Sequence, residues 1–360
     1  MIKTLNHLRG LDWYLTGAIL LLVLMGIISL AGSPERHFFQ QQSLFLGIGL
    51  FLMILVSFFD WRALKENSIF ILFLYFFGIT LLIGLFFFAP VIREVRRWYL
   101  IGPFSFDPVE YLKIILIILL AKYFSDRHVE MYKFSHLIFS GLYIALPALI
   151  VFFQPDFGSI IIFGSLWLGM IIFSGIKTKH FLILILIGTL LFSLSWTFFL
   201  RDYQRARIVG FLEPRVDPQG INWSPIQARI AIGSGGLFGQ GIGEGSQTRQ
   251  GFLSEPETDF IFSAIAEEMG LIGVFLLLTL YLFIIWRILK NAWLVRDNFA
   301  RLFCVGVVII LLVQAFVNIA MNQGLLPIVG IPLPFVSYGG SNLIFTLITI
   351  GLVQGIRTKQ

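Results

Sequence analysis

Three carboxylates stand together at the edge of an apolar segment, in the stretch F-L-S-E-P-E-T-D-F-I-F. Glu255 and Glu257 fall in the polar part and are predicted to be solvated, whereas Asp259 is the last acid before the apolar run. A carboxylate that is partly removed from water there suits a general base. The S-x-x-E pattern also fits helix capping, as does Thr258 or Asp259 itself. Cap and catalyst both stay open for Asp259.

A second chemical group lies in F-D-P-V-E-Y-L-K, residues 106–113. Asp107 followed by Pro108 predicts the N-cap and first residue of a helix. Glu110 and Lys113 are three residues apart, so they share one face of that helix and can form an ion pair. Lys113 would lie about 8 Å into the helix. A charge at that depth is costly and marks a functional site, which we favour over a structural staple.

Two further segments interrupt apolar sequence. Asp156, in Q-P-D-F-G-S, fits a tight turn in which it caps the following helix. The stretch N-Q-G-L-L-P-I-V-G-I-P-L-P-F-V-S-Y-G-G-S, residues 322–341, contains three prolines and four glycines, which break regular helix. In a membrane, such backbone is tolerated only where it is buried in protein or lines a cavity.

The elements that carry these residues are predicted to be membrane helices. Of 360 residues, 58% are hydrophobic and 13% charged, against about 25% charged in soluble domains. Long apolar runs recur throughout and predict an all-α polytopic membrane protein with about ten transmembrane helices. One cysteine excludes disulfides, and the five histidines lack metal-ligand spacing. The predicted spans are 13–31, 41–58, 69–89, 109–123, 136–152, 158–175, 181–199, 260–286, 302–324 and 335–356.

The positive-inside rule predicts that both termini are cytoplasmic. Residues 1–360 would form one domain, with a large extracytoplasmic loop at about 200–259 between the seventh and eighth spans. In that loop, 226–232 suggests an amphipathic or re-entrant helix. The glycines of 233–245 indicate tight turns and close backbone approach. A flexible turn is favoured over a phosphate-binding loop, because no Walker lysine is present.

The basic residues predicted to lie outside are all arginine. The guanidinium group grips phosphate with two parallel hydrogen bonds, whereas lysine acts as a point charge. The bias suits a phosphorylated ligand at the outer leaflet, and ordinary headgroup contacts and ion pairs are an equal alternative. The ten are Arg36, Arg93, Arg96, Arg97, Arg201, Arg205, Arg207, Arg215, Arg229 and Arg249.

Six ordered motifs cover some 245 residues of the chain. They are R-R-W with G-P and P-V-E-Y-L-K, Q-P-D-F-G-S, Y-Q-R-A-R-I with F-L-E-P and D-P-Q-G, A-I-G-S-G-G-L-F-G-Q-G-I-G, T-D-F-I-F-S-A-I-A-E-E-M-G, and G-I-P-L-P-F-V-S-Y-G-G-S. With these motifs the chain resembles the SEDS family (RodA, FtsW and SpoVE). The short N-terminus before G-L-D-W is more similar to the elongation type, RodA, than to the division type, FtsW.

The resemblance implies a peptidoglycan glycosyltransferase that polymerises lipid II at the outer face of the bacterial cytoplasmic membrane during elongation. The family's essential aspartate falls on Asp259, and its central charged pair on Glu110 and Lys113. The acid of its Q-P-D motif falls on Asp156. The chain has Asp107 where the family usually has glutamine, which leaves the other acids and the lysine in place.

The resemblance also implies substrates, partners and a cofactor. The substrates are lipid II and a lipid-linked glycan, and Arg97 and Arg207, with Lys113, would offset charge on the pyrophosphate. Asp259 would act as the base or hold a divalent cation, Mg²⁺ or Mn²⁺. The partners would be a class B penicillin-binding protein, which is a transpeptidase, and other elongation-complex membrane proteins, with no nucleic acid.

Two other classes of function stay open. Ten spans, intramembrane charge and broken helices also suit a transporter that flips lipid-linked precursors. Against it, no inverted repeat is visible, and the acids gather at the predicted outer mouth instead of the midplane. A membrane scaffold is a third possibility, and it explains the arginine bias poorly.

Overall fold

The computed structural model describes residues 7–33, 35–91, 95–102, 104–127, 134–200, 202–213, 217, 220 and 222–359. The chain is mostly helical, as predicted. Its helices are α1 (Trp13–Gly32), α2 (Arg36–Ser57), α3 (Trp61–Glu66), α4 (Ser68–Phe88), α5 (Pro108–Asp126), α6 (Phe134–Phe153), α7 (Phe157–Phe173), α8 (Thr178–Leu194, continued by a π-helical turn over Ser195–Phe199), α9 (Asp202–Leu212), α10 (Trp223–Ser234), α11 (Ser246–Arg249), α12 (Ile261–Leu294), α13 (Asn298–Asn322) and α14 (Gly340–Thr358).

Ten of these helices coincide with the ten predicted spans. Within the described residues, α1, α2, α4, α6, α8, α12 and α13 are long and apolar enough to cross a membrane, and α7 is apolar but has only 17 residues. The last helix begins at Gly340 instead of near residue 335, because the chain before it is not helical. The polytopic helical fold is confirmed, and the number of crossings stays a prediction.

Helix α5 lies at the centre of the bundle. It packs against α4, α7, α13 and α14, and almost every residue from Pro108 to Phe124 is buried. Asp107 caps it by accepting a hydrogen bond from Val109 N at 2.9 Å, with Pro108 in the first turn, as predicted. The charges of Glu110 and Lys113 therefore lie inside protein and do not face lipid.

A small β-hairpin precedes α5, and the all-α prediction missed it. Its strands are β1 (Tyr99–Ile101) and β2 (Phe104–Phe106), and the first residue of β1 pairs with the last residue of β2 in antiparallel register. The chain therefore returns to its starting point across the hairpin. As a result Arg97, two residues before β1, comes beside Asp107, one residue after β2.

Helix α12 is interrupted at Gly270, which has φ 65° and ψ −165°. This backbone conformation is readily available only to glycine. The glycine-rich segment 235–245 lies along the interruption, and Leu271 N donates a hydrogen bond to Gly236 O at 2.9 Å. The expected tight turns are present, with positive φ angles at several glycines. The segment is fastened to α12, in contrast to the flexible turn that the sequence favoured.

Two buried glutamates of α12 hold this loop. The Glu267 carboxylate accepts hydrogen bonds from Gln247 N at 2.7 Å, Thr248 N at 3.1 Å and Thr248 Oγ1 at 2.6 Å. The Glu268 carboxylate accepts one from Gly243 N at 3.0 Å. The polar partner of this helix face is thus the chain's own large loop.

The first and last helices meet where α1 begins. The Asp12 side chain caps α1 and accepts hydrogen bonds from Arg287 Nε at 2.9 Å and Arg287 Nη2 at 2.6 Å. It also forms an ion pair with Arg357. Asp12 N donates to Gln354 Oε1 at 2.7 Å. We call Asp12, Arg287 and Arg357 the Asp12 cluster, and it joins α1, α12 and α14.

Helices α2 and α14 lie in close contact along much of their length. A Cβ at Gly351 would lie 2.5 Å from Met53 O, so a larger residue would push the two backbones apart. A Cβ at Gly49 would lie 2.5 Å from Leu347 Cδ1. Small residues on both helices thus allow a tight interface, as is common between membrane helices.

Candidate active site

Asp259 lies half-buried in a turn just before α12. The helix begins at Ile261, and Phe260 occupies its N-cap without a side-chain capping bond. The prediction that Thr258 or Asp259 caps this helix is therefore wrong. The turn is closed by hydrogen bonds from Thr258 N and Phe260 N to Glu255 O, both at 3.2 Å. Asp259 therefore lies one residue before the N-cap of α12.

Two asparagines of α13 fix the backbone of Asp259. Asn318 Nδ2 and Asn322 Nδ2 donate to Asp259 O at 3.1 and 2.9 Å. Asn322 Oδ1 accepts from Ser263 Oγ at 2.6 Å, so the same amide also ties down the start of α12. Sequence reasoning missed both residues. Their signal was available: two amides four residues apart in an apolar helix are costly to bury unpaired.

The non-helical segment 323–339 runs beside this turn, as its prolines and glycines predicted. Tyr338 N donates to Glu257 O at 2.8 Å. The Glu257 carboxylate accepts from Ser33 Oγ at 2.7 Å, and Glu255 and Glu257 are both half-buried instead of fully solvated. Glu255 and Glu257 therefore help to hold the turn in place through their hydrogen bonds.

A network of charges lies at the start of α5 and α7. Arg97 Nε is 2.7 Å from Asp107 Oδ2 and 3.5 Å from Asp156 Oδ2. Asp156 also caps α7, as predicted, by accepting from Ser159 N at 3.1 Å. Burial alone would lower the pKa of Arg97, but the charges of Asp156 and Asp107 raise it above its ordinary value. Burial raises the pKa of Asp107, against the opposing effect of Arg97.

The predicted pair on α5 continues this network. Lys113 Nζ lies 2.5 Å from Glu110 Oε2, and both residues are almost fully buried. Asn342 Nδ2, from the start of α14, donates to Glu110 Oε1 at 3.2 Å. The two groups form what we call the inner cluster, with two cations and three carboxylates: Arg97, Asp107, Glu110, Lys113 and Asp156.

The non-helical segment brings Arg207 and Asp259 to its two sides. Arg207 Nη1 donates to Ile328 O at 3.4 Å. Two residues later, a Cβ at Gly330 would lie 3.8 Å from Asp259 Oδ2. Arg207 itself is exposed and lines a separate cavity beside α9 and α10. Residues 328–331 thus lie next to both Asp259, the candidate base, and Arg207, the candidate phosphate ligand.

The arginines predicted to lie outside differ in their partners. Arg97 belongs to the inner cluster, whereas Arg249 forms an exposed ion pair with Glu244. Arg207 and Arg229 line the cavity beside α10. Three others lie outside the described residues: Arg93, Arg201 and Arg215. Ordinary ion pairing thus accounts for some of the arginine bias.

A divalent cation would find one carboxylate at Asp259. In the described part of the chain, no group of three or more His, Cys, Asp or Glu side chains could hold a metal ion. Magnesium is often bound by one or two carboxylates together with substrate phosphates and water. Mg²⁺ or Mn²⁺ at Asp259 would therefore take its other ligands from a phosphorylated substrate and from water.

The fold and the site together define a multi-pass membrane protein with a charged site next to its large loop. The sequence profile of the FtsW, RodA and SpoVE family, described as "Cell cycle protein", matches residues 7–360. The chain belongs to this family, as the resemblance of its motifs indicated.

Similar proteins agree with this assignment. Peptidoglycan glycosyltransferase MrdB of Escherichia coli (strain K12) is 36% identical over 329 residues, 91% of this chain and 86% of that protein. The probable peptidoglycan glycosyltransferase FtsW of Thiomicrospira cyclica is 35% identical over 368 residues, 97% and 92%. A chain from a study of how a peptidoglycan synthase complex coordinates polymerization and crosslinking has TM-score 0.83 at 28% identity, covering 97% of this chain and 98% of that chain.

Proposed function

We propose that this chain is a peptidoglycan glycosyltransferase that polymerises lipid II into glycan strands at the outer face of the bacterial cytoplasmic membrane. Its similarity to proteins named peptidoglycan glycosyltransferase supports the activity. The observation that carries the site is the placement of Asp259. Its carbonyl accepts hydrogen bonds from Asn318 and Asn322, which fixes the position of the residue beside the non-helical segment.

The proposed reaction is the one that the family resemblance implies. The 4-hydroxyl of GlcNAc in lipid II attacks C1 of MurNAc at the end of the lipid-linked glycan. The new C1–O bond forms as the bond to the pyrophosphate oxygen breaks, which inverts C1 and releases undecaprenyl pyrophosphate. Asp259 takes the proton of the attacking hydroxyl. A divalent cation held by Asp259 would supply positive charge at the same place.

The cations of the site stabilise the leaving group of this reaction. Negative charge builds on the departing pyrophosphate, and fixed positive groups stabilise it. Arg97, Arg207 and Lys113 supply these groups. Glu110 and Asp156 position two of them, because each contacts its cation within 3.5 Å. Both carboxylates thus belong to substrate binding through the cations that they orient.

The proposed setting is cell elongation. The chain would work with a class B penicillin-binding protein and other elongation-complex membrane proteins, since a similar chain comes from a complex that couples polymerization to crosslinking. A division role is the alternative, as relatives of both kinds are about equally similar. Complementation of elongation-deficient and division-deficient cells separates the two, and rescue of division alone would contradict the elongation role.

The test of the proposal is polymerisation by purified protein. Asp259→Asn and Asp259→Ala in detergent with lipid II should make no glycan polymer, whereas wild type makes polymer without a second protein. Glu244→Gln is the matched control, because Glu244 is an exposed acid of the same loop. Chelation with EDTA then tests the cation. Wild-type amounts of polymer from Asp259→Ala would rule out the assigned base.

A lipid flippase is the second candidate, and the interruption of α12 at Gly270 favours it, since broken helices are common in transporters. The detergent assay separates the two functions, because a flippase has no second compartment there and makes no product. Transport of lipid II in vesicles by a protein that makes no polymer in detergent would support the flippase.

A further inference from the structure

The cations of the inner cluster are already neutralised by carboxylates. Lys113 lies 2.5 Å from Glu110, and Arg97 lies 2.7 and 3.5 Å from Asp107 and Asp156. With three acids against two bases, the cluster has no surplus of positive charge. A pyrophosphate that carries several negative charges therefore needs, besides Arg97 and Lys113, a more positive place to bind.

Such a place exists on the other side of the non-helical segment. A cavity of about 350 Å³ opens between α9, α10 and residues 324–328. Two arginines line it, Arg207 and Arg229, and no acidic residue lines it in the part of the chain that the structure describes. Asn222 and Ser224 add polar side chains. The volume is near the lower end of the range for ligand pockets.

Arg229 reaches this cavity across a glycine. A Cβ at Gly324 would lie 3.3 Å from Arg229 Cδ and 3.4 Å from Arg229 Nε, and Gly324 has a positive φ of 72°. Among the described residues, the Arg229 guanidinium forms no hydrogen bond or ion pair, and its side chain is exposed. Its donors are therefore available to a ligand, unlike those of Arg97.

We propose that this cavity binds the pyrophosphate of the lipid-linked glycan donor, with Arg229 as the residue that grips it. The inference rests on the proposed function. The planar guanidinium fork matches phosphate oxygens. The cavity wall at Ile328 is two residues from Gly330, which contacts Asp259, so about 7 Å of chain separates them. The leaving oxygen, C1 and the attacking hydroxyl of an inverting displacement lie in line across such a gap, which places C1 of the donor between the pyrophosphate and the base.

The test compares Arg229→Gln and Arg229→Lys with Arg249→Gln. Arg249 is an exposed arginine of the same loop that is paired with Glu244, which makes it the matched control. Binding of inorganic pyrophosphate to the full-length protein in detergent is measured by calorimetry. Arg229→Gln should weaken it about tenfold to a hundredfold, Arg229→Lys should weaken it less, and Arg249→Gln should leave it unchanged.

Polymerisation of lipid II is measured on the same proteins, and Arg229→Gln should lower kcat/KM by a similar factor. If wild type makes polymer but Arg229→Gln binds pyrophosphate as tightly as wild type, the inference is wrong. The proposed function would not be affected by that result. Arg229-dependent binding without any polymer from wild type would overturn the proposed function and the donor assignment. Phosphatidylglycerol that competes as well as undecaprenyl pyrophosphate would identify a general lipid-headgroup site and overturn the inference.

Discussion

Two buried networks of arginine, lysine and carboxylate lie at opposite ends of the helix bundle. The Asp12 cluster has one carboxylate against two arginines, and its members belong to regular helices or their caps. The inner cluster has three carboxylates against two cations, and α14, which supplies Asn342, follows directly on a non-helical segment. Buried ion pairs alone are weak evidence of function. Each cluster has one charge in excess, of opposite sign, so the interrupted backbone beside the inner cluster is what distinguishes the candidate site from the structural ion pairs of the Asp12 cluster.

The largest loss of activity among these variants is expected from a change at Lys113. Lys113→Met leaves Glu110 buried without its cation. We therefore expect the rate of polymerisation to fall about a hundredfold or more, where each tenfold corresponds to about 1.36 kcal/mol of activation free energy. Glycan assays on lipid II measure the effect. Lys122→Met, which removes the ion pair with Asp126 at the other end of α5, is the control and should keep most activity.

The double variant Glu110→Gln with Lys113→Met separates charge from function. It should recover the thermal stability that Lys113→Met loses, because no buried charge is left unpaired. Its activity should stay low. Recovery of both stability and polymerisation would make the pair a structural staple.

The Asp12 cluster should respond in the opposite way. Asparagine can still cap α1, but Asp12→Asn leaves Arg287 and Arg357 without their carboxylate. We expect a loss of about 3 kcal/mol in the free energy of unfolding, seen as a lower midpoint in thermal denaturation followed by size exclusion. Activity per folded molecule should be unchanged. A folded, stable and inactive Asp12→Asn protein would show that this cluster is also functional.

Arg97→Lys tests whether the inner cluster needs the shape of the guanidinium group as well as its charge. The change keeps the charge and loses the planar fork that reaches Asp107 and Asp156 together. Polymerisation should fall about tenfold, equivalent to 1.36 kcal/mol, at nearly unchanged thermal stability. Equal kcat/KM for the two proteins would mean that only the charge of Arg97 matters.

The smallest effect is expected from Asp107→Asn. Asparagine keeps the cap of α5, and Arg97 keeps Asp156, so unfolding should change by less than about 1 kcal/mol. Burial raises the pKa of Asp107, so the folded state binds its proton more tightly than the unfolded state. Its contribution to stability is therefore present at low pH and is lost as the pH rises through the folded pKa. The stability of wild type relative to Asp107→Asn should fall in that direction, and the opposite trend would contradict the assignment.

Sequence patterns predicted the parts of this molecule that follow local rules. Apolar length placed ten helices, and Asp107 and Asp156 cap α5 and α7 as their neighbours suggested. Spacing alone paired Glu110 with Lys113. The resemblance, and not spacing, singled out Asp259, and its catalytic role stays a prediction.

Contacts between distant segments could not be predicted in the same way. The hairpin that returns Arg97 to Asp107 is short, and its register depends on packing that no local pattern encodes. Asn318 and Asn322 hold Asp259 from 59 and 63 residues away. The cap prediction for Asp259 failed because hydrogen bonds to Glu255 O close a turn before the helix begins.

The contact between the two ends of the chain also constrains its synthesis. Asp12 N bonds to Gln354 Oε1 across 342 positions, and α2 packs along α14. A ribosome makes α14 long after α1 and α2, so these two helices enter the membrane well before their partner is synthesised. Contacts this distant in sequence slow folding. Nascent chains of this protein should therefore depend on membrane chaperones, and chains that stop before α14 should be degraded.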